Sequence, residues 1–265
     1  MVLGLLAFVG PNQGGFADND IGPQIFQTGC LIGNAHPCFS KVSLLMIIAA
    51  IVVIALFLVA FHAPQVVPRA LQNGMEAVVD FVRNAIVMEV MGAEGLRWVP
   101  FLTAMFAYIF VCNVMEIIPL INFPPTSRIA IPLFLAIVVW FSFNVVGFKE
   151  QGVGYLKSTL FPPGVPAALY ILVTPIEFVS TFLVRPFSLS VRLMGNMFAG
   201  HLILTIFALG TAYLLLKPAT FAFAPFSFAL SVFLTAFELL VAVLQAYIFT
   251  ILTAVYIGGS MHAEH

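Results

Sequence analysis

Of 265 residues, 62% are hydrophobic and 8% are charged, against about 25% charged in soluble domains. Such a chain is a polytopic α-helical membrane protein; an outer-membrane barrel needs alternating segments of ~10 residues, and the sequence has none. The net charge of −1 and the lack of any basic run offer nothing to nucleic acid.

The opening MVLGLLAFVG has no basic lead and is too short to span. Residues 1–40 read as a non-cytoplasmic tail. Cys30 and Cys38 flank a short loop there, and they are compatible with a disulfide on an oxidising side or with two free thiols. Cys112 lies in an apolar span and reads as packing.

A membrane span takes about twenty apolar residues. The first candidate is 42–61, without a charge. Residues 64–98 differ in kind: Arg69, Glu76, Asp80, Arg83, Glu89 and Glu94 alternate with apolar residues at helical spacing, the pattern of an amphipathic helix lying at the interface. The second span is 98–121 and the third 129–148, followed by a polar loop with Lys149, Glu150 and Lys157 and the helix-breaking FPPGVP. Residues 167–216 are far longer than one upright crossing, with only Pro175 and Pro186 as breaks, so this stretch must tilt, bend or run partly in plane. Residues 225–257 form a last overlong helix before the polar tail GGSMHAEH. The expected architecture is all-α, about five membrane helices plus the interfacial helix, in one membrane domain over 41–265.

Orientation follows from basic residues in short loops. Arg69, Arg83, Arg97, Lys149 and Lys157 stand on one side against Lys41, Arg128 and Lys217 on the other, placing the N-terminus outside and the C-terminus in the cytoplasm.

Ionisable groups inside spans are functional candidates by default. They concentrate in the two long helices as Glu177, Arg185, Arg192, His201 and Glu238, with Asn196 and Gln245; Asn113 and Glu116 add a pair in the second span. Arg192 is the sharpest of these. An arginine at mid-bilayer is penalised by about 2.5–3.5 kcal/mol on insertion scales, and it cannot escape by losing its proton. It is either a structural cation paired with Glu177 or Glu238, or a fixed cation that works on a mobile anion.

At about 100° per residue, Arg185, Arg192 and Asn196 share a side of their helix and His201 points the opposite way. With the last two helices antiparallel and Arg192 level with Gln245, His201 and Glu238 reach similar depths and form a pair suited to a proton path. Gly195, Ala199 and Gly200 permit close helix approach.

SVRLMGNMFAGHLI (190–203) and ELLVAVLQAYIFTILTAVY (238–256), with NVMEIIP (113–119) and TPIEFVS (174–180), resemble subunit a of the F-type ATP synthase, and the likeness runs from about residue 40 to the end. The resemblance implies a proton-translocating subunit of a rotary motor in a bacterial plasma membrane. In it Arg192 faces the carboxylates of a rotating ring, with Asn196 and Gln245 as polar neighbours. His201 and Glu238 match the access-channel pair, with acid and histidine exchanged between the two helices relative to much of the bacterial family. Glu177, Asn113 and Glu116 match channel-lining positions. The implied partners are a rotor ring of small hairpin subunits, peripheral stalk subunits, the soluble catalytic head and the lipid bilayer. No cofactor, metal or catalytic site on this chain is implied.

Two other classes compete. A stand-alone channel or secondary transporter would work without partners, but the chain shows no internal repeat of the transporter kind. An intramembrane enzyme would carry a reactive constellation, but Asp18, Asp20 and Asp80 all fall outside the spans, and the sequence has no His-Glu-x-x-His or Gly-x-Ser-x-Gly run.

Overall fold

The structure is a computed structural model; it describes residues 30–32, 39–62, 65, 69–118, 125–152, 154–161, 169–216 and 221–261. The tail up to residue 29, Cys38 with its possible pairing to Cys30, most of FPPGVP, Lys217 and the last four residues lie outside the described residues.

Within the stretch expected to be a plain tail, Cys30–Ile32 (β1) and Phe39–Ser40 (β2) pair antiparallel, Cys30 opposite Ser40. The chain then enters α1, Lys41–Phe61. This helix is apolar all round and buries one narrow side, with Val42, Leu45 and Ala49 packed on Cys112, Met115 and Ile131. Ile51, Leu58 and Val59 face outward, which suits a lipid solvent.

The amphipathic segment is helical from Ala70–Val82 (α2) through a π-helical turn at Arg83–Val87 to Val90, and tightens to a 3₁₀ stretch at Gly92–Trp98. Its helical spacing sorts its residues by side. Gln72, Met75, Val82, Ile86, Val87 and Met91 are buried, while Asp80, Arg83, Glu89 and Glu94 are exposed.

Helix α3 is Val99–Val114, shorter than the 98–121 expected. After Val114 the backbone closes i→i+3 bonds, Glu116 N–H to Asn113 O at 3.2 Å and Ile117 N–H to Val114 O at 3.0 Å. Ile118 precedes Pro119, and a residue before proline is pushed out of the α region. Glu116 thus sits in a turn at the helix end. Helix α4 runs Ala130–Gln151 and stops at Gly152, whose φ of 61° is open to glycine. The expected polar loop beyond it holds a short helix, α5, Gly154–Leu160.

The fourth stretch is one continuous helix of 47 residues, Tyr170–Leu216. It comprises α6 (Tyr170–Val179), a π-helical turn (Ser180–Val184) and α7 (Arg185–Leu216). Neither proline interrupts it: Pro175 is carried inside α6. Pro186 follows the π turn, where the Arg185 N–H reaches back to Ser180 O, and the wider turn makes room upstream of a ring that would crowd the carbonyl four residues back.

Helix α8, Ala224–Met261, has 38 residues, about 57 Å at a rise of ~1.5 Å per residue. Its apolar length exceeds a ~30 Å hydrocarbon core, so it crosses only if steeply inclined or curved. It also outruns the expected end at 257. Gly258 lets it pass close to Met91 and the Val90 carbonyl, and Gln151 donates to Ser260 O at 3.1 Å.

Helices α3, α4, α7 and α8 pack on one another, capped on one flank by the amphipathic segment, and α1 leans on α3 from outside. The core joins Val82 and Ile86 to Leu102 and Ile109 of α3, Val139 and Phe143 of α4, Leu193 and Met197 of α7, and Phe249 and Ile257 of α8. Lipid supplies no hydrophobic drive between helices, so close packing and interhelical hydrogen bonds carry this assembly.

Glycines test the packing. At Gly74 on α2 an added side-chain carbon would meet nothing within 4 Å, whereas at Gly147 it would enter the ring of Tyr155. Gly74→Ala is therefore expected to be neutral or stabilising, by up to about 1 kcal/mol. Gly147→Ala is expected to lower the thermal unfolding midpoint of the detergent-solubilised protein, since the Tyr155 ring must leave and α5 with it.

Candidate ion-translocation site

Helices α7 and α8 run antiparallel, and two polar rungs and a steric notch mark their register. Asn196 Nδ2 donates to Gln245 Oε1 at 2.7 Å. Four residues along α7, the Glu238 carboxyl occupies the space beside Gly200 where a side chain would begin. Near the α7–α8 connection, the Thr211 and Ser227 hydroxyls share a hydrogen bond at 2.9 Å. Gln245 thus lies level with Asn196, one turn beyond the expected Arg192, while the residues around His201 and Glu238 do come to matching depth.

The partner of His201 differs from the one expected. Gly200 faces α8, so the next residue, about 100° round the helix, turns toward the end of α3. There His201 Nδ1 meets Glu116 Oε1 at 3.4 Å, both side chains buried. Glu238 reaches α7 at Gly200, the residue before His201. The site is therefore a cluster of three groups from three elements: Glu116 at 1% exposure, His201 at 4% and Glu238 at 6%.

Several atoms of this cluster and its surroundings are buried without a hydrogen-bond partner: Glu116 Oε2, Glu238 Oε1, Asn113 Nδ2 and Gln245 Nε2. Orphaned buried polar atoms are rare in folded proteins, and leaving one unsatisfied costs about 1–3 kcal/mol. Asn113 is anchored on its other side, accepting from Thr126 Oγ1 at 2.9 Å.

The two arginines of α7 part company. Arg185 is half-buried, with its guanidinium 5.3 Å from the ring centre of Tyr256 on α8, a cation–π contact. Arg192 is exposed, and among the described residues no carboxylate lies within ion-pair distance of it. Neither Glu177 nor Glu238 neutralises it. Glu177 is half-buried on α6 and joins none of the contacts of the cluster.

A row of hydroxyls on α8 escapes notice in the sequence. Ser227, Ser231 and Thr235 lie at four-residue steps and Glu238 three further on, so all share one side of the helix. Ser227, Ser231 and Glu238 are buried and Thr235 half-buried. The spacing is visible in the sequence. Its meaning is not, because serine and threonine in apolar helices commonly bond their own backbone, as Thr235 does to Ser231 O at 2.8 Å. Among the described residues no group of three histidine, cysteine or acidic side chains is placed to hold a metal ion.

Among the described residues five helical stretches are long and apolar enough to cross a membrane, and with the buried polar cluster they define a multi-pass α-helical membrane protein. Residues 43–258 match the family model described as ATP synthase A chain, and the chain belongs to that family. It is 46% identical over 246 residues to ATP synthase subunit a of Frankia alni, covering 92% of this chain and 84% of that one. It is 48% identical over 228 residues to the subunit a of a Parafrankia species, covering 85% and 77%. To that of Rhodococcus erythropolis it is 43% identical over 228 residues, covering 84% and 83%.

The Asn196–Gln245 bond is expected to hold the register. In a double-mutant cycle with Asn196→Ala and Gln245→Ala, unfolding from lipid micelles should show a coupling of about 0.6–2 kcal/mol, the range of interhelical hydrogen bonds in membranes.

Proposed function

We propose that this chain is the ion-translocating stator subunit of a rotary ATP synthase, and that Arg192 is its working charge. The observation that carries this reading is an arginine exposed on α7 with no acid of its own chain within reach among the described residues. A permanent cation on an otherwise apolar surface calls for an anion from a partner.

That partner is a rotor ring of small hairpin subunits, each with a carboxyl group at mid-membrane. In lipid the ring carboxyl stays neutral, because desolvation disfavours the charged form; beside Arg192 it ionises, because an opposite charge favours it. The inclined α7 and α8 lie against the ring and present Arg192 to one carboxyl after another. The cluster of Glu116, His201 and Glu238, approached along Ser227, Ser231, Thr235 and Thr211, serves as the half-channel that delivers protons from outside. Asn196 and Gln245 flank the arginine, and Asn113 and Glu177 line the aqueous paths. A second half-channel releases protons to the cytoplasm, and Arg192 separates the two.

Each charge crossing 100 mV carries about 2.3 kcal/mol. Ring rotation passes that energy to the soluble catalytic head, with peripheral stalk subunits holding this chain still. The chain itself performs no covalent chemistry. Residues 41–265 form its membrane domain in a bacterial plasma membrane, with the N-terminal tail outside and the C-terminus in the cytoplasm.

Replacing Arg192 tests the reading. In membranes holding the intact complex, Arg192→Ala is expected to abolish ATP synthesis driven by a proton gradient while the complex still assembles. The purified chain alone in liposomes is expected to pass no more protons than empty vesicles; robust flux would favour a stand-alone channel.

A further inference from the structure

Gly200 is buried on the side of α7 that faces α8. A side-chain carbon built on it would collide with Oε1, Cδ and Oε2 of Glu238, more closely than real carbons approach. Glycine inside a helix is destabilising relative to alanine, so its presence here has a local reason. The usual reason in a membrane bundle is to let two backbones close on one another.

The neighbours of Gly200 speak against that reason. The three atoms nearest its space are the carboxyl atoms at the tip of one side chain. At Gly258, by contrast, the near atoms are the Met91 side chain and the Val90 backbone carbonyl, as at a close helix approach, and Gly195 on the same helix as Gly200 has nothing within 4 Å. Gly200 thus makes room for an acid.

We propose that Gly200 is a positioning residue whose missing side chain forms the seat of the Glu238 carboxyl. The seat holds that carboxyl against α7 one residue from His201, whose ring meets Glu116. Without it, the carboxyl swings toward the outer surface of α8 and leaves the cluster. The inference rests on the proposed role of Glu238 in proton delivery.

The test uses the intact complex in membrane vesicles with Gly200→Ala, Glu238→Asp and the double variant. ATP-driven proton pumping is measured, alongside the amount of this chain retained in the purified complex. Aspartate is shorter by one methylene, so its carboxyl retracts from the position a methyl at residue 200 would take. Gly200→Ala is expected to reduce pumping at least tenfold, and adding Glu238→Asp is expected to recover severalfold of that loss. If Gly200→Ala also lowers assembly, recovery of both assembly and pumping in the double variant supports the seat equally. Near-normal pumping by Gly200→Ala overturns the inference, and so does a double variant no better than Gly200→Ala in pumping. Arg192→Ala in the same vesicles separates the two levels. If it pumps normally the stator reading fails, whereas its silence beside an unaffected Gly200→Ala removes the seat alone.

Discussion

The hydrogen bond from Asn196 to Gln245 sets how far α7 and α8 slide past one another, and the rest of the site follows from that register. With this rung in place, Glu238 reaches α7 at Gly200 and Thr211 meets Ser227. A slip of one turn would drive the Glu238 carboxyl into a neighbouring side chain and break the hydroxyl pair. In lipid such a slip has little hydrophobic penalty, because an apolar side chain loses nothing by exchanging a helix for an acyl tail. Polar rungs and steric notches therefore take over the role that a hydrophobic core plays in water.

The same constraint sorts the two arginines of α7. Both are permanently charged, and they stand seven residues apart, so helical geometry alone gives them one side. Arg185 finds the face of Tyr256 and is satisfied within the chain. Arg192 has no acid within reach among the described residues and faces outward. One is a fixture of the bundle and the other lies on its surface, and the proposed role of Arg192 rests on that difference.

The buried cluster shows a complementary economy. Glu116 comes from the turn after α3, His201 from α7 and Glu238 from α8. No two belong to the same element, so the cluster exists only when the bundle is closed. Glu116 Oε2 and Glu238 Oε1 are buried there without a hydrogen-bond partner, which is uncommon in a structural core.

Much was determined by the sequence alone. Composition dictated a membrane protein, and runs of apolar residues located the spans to within a few residues except at the end of the second. Helical periodicity put Arg192 and Asn196 on one side and His201 on another, because about 3.6 residues per turn is a local property of any helix. The apolar spacing of α2 likewise announced which side it would bury. What only the tertiary structure decided was contact between elements. That His201 meets Glu116 depends on where α3 ends, and that end is set by a turn ahead of Pro119. That Glu238 rests on Gly200, and that Arg185 has a partner while Arg192 has none within reach among the described residues, depend on the sliding and rotation of α8 against α7. Periodicity says which way a side chain points from its own axis, but the distance to a neighbouring helix is fixed by packing, which no single helix contains.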